Sequence, residues 1–421
     1  PKMKVLIVGG GGREHAIAWK IKQSPRVSKL YCAPGNGGTA QIATNVAIKA
    51  TDLAALTAFA VKEGVDLVFV APDDPLAMGL VDELERVGIR AFGPGKAASL
   101  IESSKVFAKD LMRRYQIPTA DYVVFDDLIK AMQYIEKVQL PAVIKADGLA
   151  LGKGVIIART RDEARQAVQK MMEEAAFGAA GKRIVVEEFL TGPELTVLAF
   201  TDGKTVRPMI SSRDHKRAFD GDQGPNTGGM GAVVPGTVCT DAEWDVMTKT
   251  IFQPTIDAMR AEGRLFRGVI YYGLMLTPKG PYVIEYNARF GDPEAQAVLP
   301  LLETDLMTII DAVLDGKLDR IDIQWQDACS CCVVMASGGY PAAYKTGYPV
   351  FGLDTLPADC LVFHAGTRIE GDQFVTGGGR VLGVVSLGKT LPDAIRQAYH
   401  GVAGIDFKHA HYRRDIGGAA W

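Results

Sequence analysis

Residues Gly280–Glu294 read "GPYVIEYNARFGDPE". The first part alternates as a strand does, so side chains two apart share a face. On that spacing Tyr282, Ile284, Tyr286 and Ala288 face a core, and Val283, Glu285, Asn287 and Arg289 share the other side. A turn, Gly291-Asp292-Pro293, follows at once. Asn is disfavoured in strands, and a solvated edge has no use for a fixed order of anion, neutral oxygen and cation. Glu285 and Asn287 offer the hard oxygens that Mg²⁺ takes beside phosphates and waters. Arg289 adds a planar fork suited to a phosphate oxygen. Ion-pair networks arrange charges in the same way, so the rest of the chain must decide between the two readings.

Composition narrows the class. The chain has 421 residues, 48% hydrophobic and 23% charged, with net charge −2. That length suits two to four globular domains. A near-neutral balance gives no support to nucleic-acid binding, which needs a basic excess or stripe. No apolar run approaches the ~20 residues of a membrane span, and "PKMKVLIVGG" runs into a strand pattern rather than a signal peptide. A cytoplasmic protein without membrane contact is expected. Cys329, Cys331 and Cys332 in "CSCCVVM" contain a Cys-x-x-Cys spacing, but no second pair lies near. Free core thiols are expected there rather than zinc ligands.

Residues 1–100 alternate short apolar runs with helical patterns: "KVLIVG", a helix from about Arg13, "KLYCA", "LVFVAP", a helix from Pro75, then "AFGP". This rhythm predicts a parallel, doubly wound sheet covered on both faces. A single helix is expected over "AASLIESSKVFAKDLMRRY", ended before Pro118. Strands and helices then run to "RIVVEEFL", and longer strands fill 190 to about 320 around a glycine-rich insert, "DHKRAFDGDQGPNTGGMGA". The remainder reads as mostly β, with one helix near 391–403.

Four glycine-bearing loops carry candidate chemistry. "IVGGGGREHA" sits between strand and helix, where backbone amides attract phosphate. A dinucleotide fits poorly, because Glu14 stands where the third glycine would fall and "CAPGNGG" lacks the ribose-binding acid. "VIKADGLALGKGV" places Lys145 before Gly148, Gly152, Lys153 and Gly154, a hairpin suited to close over polyphosphate. "VVEEFLTGPE" ends a strand with Glu187 and leads to Glu194. The insert from Asp214 to Ala232 is too long for a plain connector and suits a flexible lid or substrate clamp.

In order along the chain, "GGREHA", "APGN", "FGP", "IKADGLALGKGV", "EEFL", "GPNTGGMGA", "EYNARFGDPE", "HAGT", "GGR" and the closing "RRDIG" resemble the glycinamide ribonucleotide synthetase family of the ATP-grasp superfamily. The resemblance implies an α/β and α+β multidomain fold. It divides into an N-terminal substrate domain at 1–100, a two-part ATP-grasp region at 101–325 with a lid-bearing subdomain at 118–190, and a small mostly-β domain at 326–421. It also implies an ATP-dependent ligase of purine biosynthesis, joining glycine to 5-phosphoribosylamine through an acyl phosphate, and working as a monomer.

By the same resemblance Glu285 and Asn287 hold Mg²⁺ or Mn²⁺, and Arg289 stabilises the transferring phosphoryl group. Lys105 and Lys145 contact ATP phosphates beneath the Gly148–Gly154 loop. Glu187, Phe189 and Leu190 line adenine, and Glu194 binds ribose. Asp292, placed with Arg289 among the catalytic residues, and the loop Thr227, Gly228, Gly229, Met230 hold glycine, and Asp214 is a further substrate-binding residue. Gly9, Gly11, Gly12 and Asn36 face phosphoribosylamine. One departure stands out: "APDDPL" puts Asp73 where the family usually has a glutamate.

Overall fold

A computed structural model describes residues 2–149, 154–173 and 182–418. The first sheet has the order β3-β2-β1-β4-β5, with every pairing parallel. Its strands are β1 (Met3–Gly9), β2 (Val27–Pro34), β3 (Thr44–Asn45), β4 (Leu67–Val70) and β5 (Arg90–Phe92). Side chains alternate between two cores. Leu6, Val8, Val68 and Val70 pack with Leu56, Leu80 and Leu84. Val5, Ile7, Leu67 and Phe69 pack with Phe200, Phe290, Leu306 and Phe363. Both faces are covered, which is why these strands are apolar throughout.

An antiparallel sheet of order β6-β9-β7-β8 follows, from β6 (Tyr122–Phe125), β7 (Ala142–Ala146), β8 (Val155–Ala158) and β9 (Ile184–Glu188). A second has the order β11-β10-β16-β17, from β10 (Glu194–Thr201), β11 (Val206–Pro208), β16 (Gly268–Thr277) and β17 (Gly280–Asn287). Within the insert lie β12 (Arg213–Asp214), β13 (Arg217–Phe219), β14 (Gln223–Asn226) and β15 (Gly231–Val234). The last part contributes β18 (Cys329–Ala336), β19 (Cys360–His364), β20 (Thr367–Glu370), β21 (Gln373–Thr376) and β22 (Arg380–Gly388). The expected helix near 391–403 spans Leu391–Ala403.

The expected division at 325/326 does not separate the sheets. β12 and β15 join β18, β22 and β19 in one sheet, with Gly231–Val234 paired to Val333–Ser330. The insert is therefore rooted in the C-terminal β layer. The single helix expected over 97–115 is also two, Lys96–Ser103 and Lys105–Arg114. Ser104 is extended (φ −130°, ψ 109°) and its hydroxyl caps Phe107 N, so Lys105 opens the second helix.

All six cysteines are free, and burial pushes the Cys331 thiol up to about 12. Among the described residues no helix is long and apolar enough to cross a membrane.

Candidate active site between the two antiparallel sheets

β17 does not alternate throughout. Gly273 pairs with Glu285 but Leu274 pairs with Val283, so Ile284 is the extra residue of a β-bulge. The expectation that Val283 shares the face of Glu285 is corrected here. Val283 is fully buried beside Tyr286 and Ala288, because one inserted residue reverses a period-two pattern. The bulge also turns the Ile284 carbonyl to Lys145, whose Nζ donates to it at 3.1 Å. Opposite Glu285, a Cβ on Gly273 would lie 2.7 Å from Glu285 Cγ. Glycine at 273 therefore leaves Glu285 its room.

Lys145 Nζ also lies 3.0 Å from Oε2 of Glu187, and Lys109 Nζ lies 3.4 Å from Oε1. Lys109 further donates to Thr119 Oγ1 (2.6 Å) and Ala120 O (2.9 Å). All three charged side chains are buried. Burial favours a neutral Glu187, but Lys145 and Lys109 outweigh it and hold the carboxyl below its usual range. Burial takes Lys109 down to about 8 against the pull of Glu187. Lys105 donates to Gly148 O at 3.0 Å and is pushed down by burial and by Lys145. Two ammonium groups thus share one buried carboxylate, and Lys105 adds a third positive charge beside Lys145.

The Glu187 carboxylate, expected at adenine, pairs with Lys145 and Lys109. Phe189 and Leu190 follow it at the end of β9, half-buried, with the Arg159 guanidinium 5.4 Å from the Phe189 ring centroid. Glu194 opens β10 and is exposed. Gly154 accepts Ala146 N at 2.7 Å. Gly152 and Lys153 lie outside the described residues.

Across the cleft, Lys216 Nζ meets Glu285 Oε1 at 3.0 Å. Burial opposes ionisation of Glu285, yet Lys216, then Lys145 and Lys105, bring it down to about 2. Glu285 in turn raises Lys216. Asn287, two residues on, pairs with Tyr271. Behind them burial pushes Asp214 up, and Glu294 goes up to about 7 through burial and the neighbouring Asp214.

Arg289 donates from Nη2 to Glu102 Oε2 (2.9 Å) and from Nη1 to Phe290 O (3.1 Å). Glu102 also takes Ala288 N at 2.8 Å. Arg289 Nε is buried without a partner among the described residues. A narrow cleft lined by Asp73, Leu76, Glu102, Leu149 and Ala288 adjoins the pair. The shorter Asp73 thus sits beside Glu102 rather than far from the row.

The N-terminal turn is close by. Gly9 ends β1 and the helix Gly12–Lys22 starts with Gly11 as a cap that has no side chain to offer. One of its free amides, Arg13 N, donates to Asp292 Oδ2 at 3.3 Å, so a carboxylate of the chain already sits at this helix end. Asp292 Oδ1 takes Gln296 Nε2 at 2.7 Å and lies 3.5 Å from Arg380 Nη1. Burial opposes its charge, but Arg380 and Arg13 hold it below the usual range.

The structure turns the Asn36 amide inward, donating to Gly10 O (3.0 Å) and His364 O (2.7 Å) and accepting Gly38 N and Thr39 N. Its polar atoms knit the neighbouring loops together. Thr227 is tied to Lys216 O through both N (2.6 Å) and Oγ1 (2.8 Å). Gly228 N takes Tyr340 OH as acceptor at 3.1 Å, and Gly229 O accepts Arg380 Nη1 at 3.4 Å. The Met230 side chain is fully buried in the C-terminal core, so only its backbone borders the loop.

Sequence reasoning missed Lys109, Glu102, Glu294, Tyr340 and Arg380. Lys109 had a signal, a lysine at i+3 from Val106 and i−3 from Met112 on an apolar helix face. Glu294 closes the quoted "GDPE" turn. Glu102 had none, since it meets Arg289 across 187 residues of chain.

Comparisons agree on ancestry. The chain matches the profiles of phosphoribosylglycinamide synthetase: N domain over residues 3–102, ATP-grasp (A) domain over 103–295, and C domain over 330–419. It is 46% identical over 414 residues to a phosphoribosylamine–glycine ligase of Caldanaerobacter subterraneus, covering 98% of this chain and 99% of that one. It is 48% identical over 418 residues to one of Halalkalibacterium halodurans, covering 99% and 97%. The crystal structure of a phosphoribosylamine–glycine ligase from Thermotoga maritima superposes with TM-score 0.86 at 33% identity, covering 98% of this chain and all of that one. A biotin carboxylase domain from Hydrogenobacter thermophilus shares the fold alone, with TM-score 0.76 at 13% identity over 98% and 92%. With full-length identity of this order, and family profiles matched over all three parts of its length, the chain belongs to the phosphoribosylglycinamide synthetase family.

Proposed function

We propose that this chain is an ATP-dependent carbon–nitrogen ligase that joins glycine to 5-phosphoribosylamine, yielding glycinamide ribonucleotide, ADP and phosphate for purine biosynthesis. The observation that carries it is the charge layout of one cleft in a chain of this family. Lys105 and Lys145 stand on one side, and Glu285, Asn287 and Arg289 leave one strand end on the other.

The residues fit a divalent cation. Glu285 is held ionised, Asn287 lies two residues along the strand, and the charge now beside Glu285 is itself a cation, Lys216. Glu285 and Asn287 would hold magnesium or manganese there, and the ion would supply neutralising charge for phosphate. Lys105 and Lys145 receive the ATP phosphates. Phe189 and Leu190 border the base, and Glu194 takes the ribose hydroxyls.

The glycine carboxylate attacks the γ-phosphorus and ADP leaves. Charge gathering on the transferring group meets the Arg289 fork, whose Nε has no partner among the described residues. The amine of phosphoribosylamine then attacks the glycyl carbonyl, phosphate departs, and the amide loses a proton. Asp292, Asp214 and the backbone of Thr227–Met230 hold glycine, and the Gly9–Gly12 turn with the Asn36 loop faces phosphoribosylamine.

The test is ADP and phosphate release with each substrate omitted in turn, in Mg²⁺ and in Mn²⁺. Release only with both glycine and phosphoribosylamine supports the reading, and its loss in Glu285→Gln ties it to the strand end. Turnover with another amine–carboxylate pair and none with this one would overturn the substrate assignment.

A further inference from the structure

The insert is expected from sequence to be a flexible lid or substrate clamp, and its base is gripped by the C-terminal segment. Arg413 is the largest fully buried side chain among the described residues. Its Nε and Nη2 form a two-pronged pair with Asp415, both at 2.8 Å, and its Nη1 donates to Arg217 O at 3.1 Å and meets Asp222 Oδ1 at 3.4 Å. Asp415 Oδ2 also takes Gly221 N at 3.0 Å, and Asp220 Oδ1 takes Arg414 N at 2.7 Å. One step to the other side, Gly417 N donates to His215 Nε2 at 3.0 Å. The residues before and after Lys216 are therefore both fastened to the C-terminal segment.

Lys216 itself makes no bond to that segment among the described residues. Its carbonyl takes Thr227, and its ammonium reaches Glu285. A four-carbon stem has many rotamers, and holding the backbone at both neighbours restricts where its tip can go. A planar fork with three separate acceptors is the side chain that can fix a loop from within.

We infer that Arg413 is a positioning residue: with Asp415 it holds His215–Arg217 so that Lys216 stays at Glu285 and Thr227–Gly229 keep their place in the cleft. The catalytic part of this rests on the ligase reading, while the mechanical part does not. The insert then works as a fixed arm, and the C-terminal segment belongs to the active site without touching substrate.

The experiment compares wild type, Arg413→Gln and Asp415→Asn by hydrogen–deuterium exchange without substrates, and by steady-state kinetics. Expected is exchange faster by roughly tenfold over 215–229, with β1 and β9 unchanged. Expected too is kcat lower by roughly tenfold at unchanged KM for ATP, since the ATP-binding lysines lie on other elements. Unchanged exchange over 215–229 in both variants overturns the inference. So does exchange rising equally in β1 and β9 in both, or a loss carried by the KM for ATP. If Arg413→Gln fails to fold, Asp415→Asn decides alone. Should the wild type show no ligase activity, the functional reading fails and the exchange data still decide this one.

Discussion

The ammonium of Lys216 sits 3.0 Å from one oxygen of Glu285, although the two are 69 residues apart, one between β12 and β13 and the other on β17. Both side chains are partly open, at 43% and 35% exposure, so the pair adds little to stability. On the proposed function its use is to place a cation where phosphate charge gathers. Lys216→Met is expected to lower kcat by roughly 100-fold while leaving thermal unfolding within a few degrees of wild type. Steady-state kinetics beside a circular-dichroism melt reads both.

Glu187 presents the opposite case. Removing its charge leaves Lys145 and Lys109 buried without their counter-ion. Glu187→Gln is expected to cost about 3–5 kcal/mol of stability by urea unfolding. Lys145→Met, which leaves Glu187 paired with Lys109, should cost clearly less and mainly remove activity. Equal losses in the two variants would show that the carboxylate is not the anchor.

Gly229 has φ +130°, and a Cβ there would come within 2.5 Å of Pro293 Cδ. Gly229→Ala is therefore strained in backbone and contact alike. The expected cost is about 1–3 kcal/mol of stability with a loss of activity greater than that destabilisation explains. Melting curves and single-turnover ADP formation separate the two effects.

A buried histidine pair joins the first and last parts of the chain. His15 Nδ1 accepts His364 N at 2.7 Å, and His364 Nδ1 lies 2.9 Å from Thr367 Oγ1. Burial, helped by His364, lowers His15 to about 3, and burial lowers His364 to about 4. Above the ordinary value near 6.5 both are neutral folded or unfolded, and they leave stability independent of pH. Below it the unfolded chain binds protons first, so stability falls as pH drops from about 6.5 to about 4. His15→Asn, which keeps an acceptor, should flatten the dependence of Tm on pH over that window. An unchanged slope would assign the acid sensitivity to other groups.

Much of this protein was legible in its residues. The doubly wound N-terminal sheet follows from strands apolar on both faces, and the positions of Glu285, Asn287 and Arg289 follow from a two-residue period read near the end of β17. Local rules see such features because they depend on neighbours in the chain. They mislead where one residue changes the count, as at the Ile284 bulge, and where Ser104 breaks a helical pattern to answer the distant Asp147, whose Oδ1 takes its hydroxyl at 3.2 Å.

Tertiary structure alone decided which charges meet. Glu102 reaches Arg289 across 187 residues, Lys109 and Lys145 converge on Glu187, and Arg413 grips a loop 196 residues upstream. Sequence sets the type and local direction of each side chain. The partner that fixes its charge and its position is chosen only when separate sheets pack, because burial makes an unpaired ion costly and the nearest opposite charge in space has no fixed spacing along the chain.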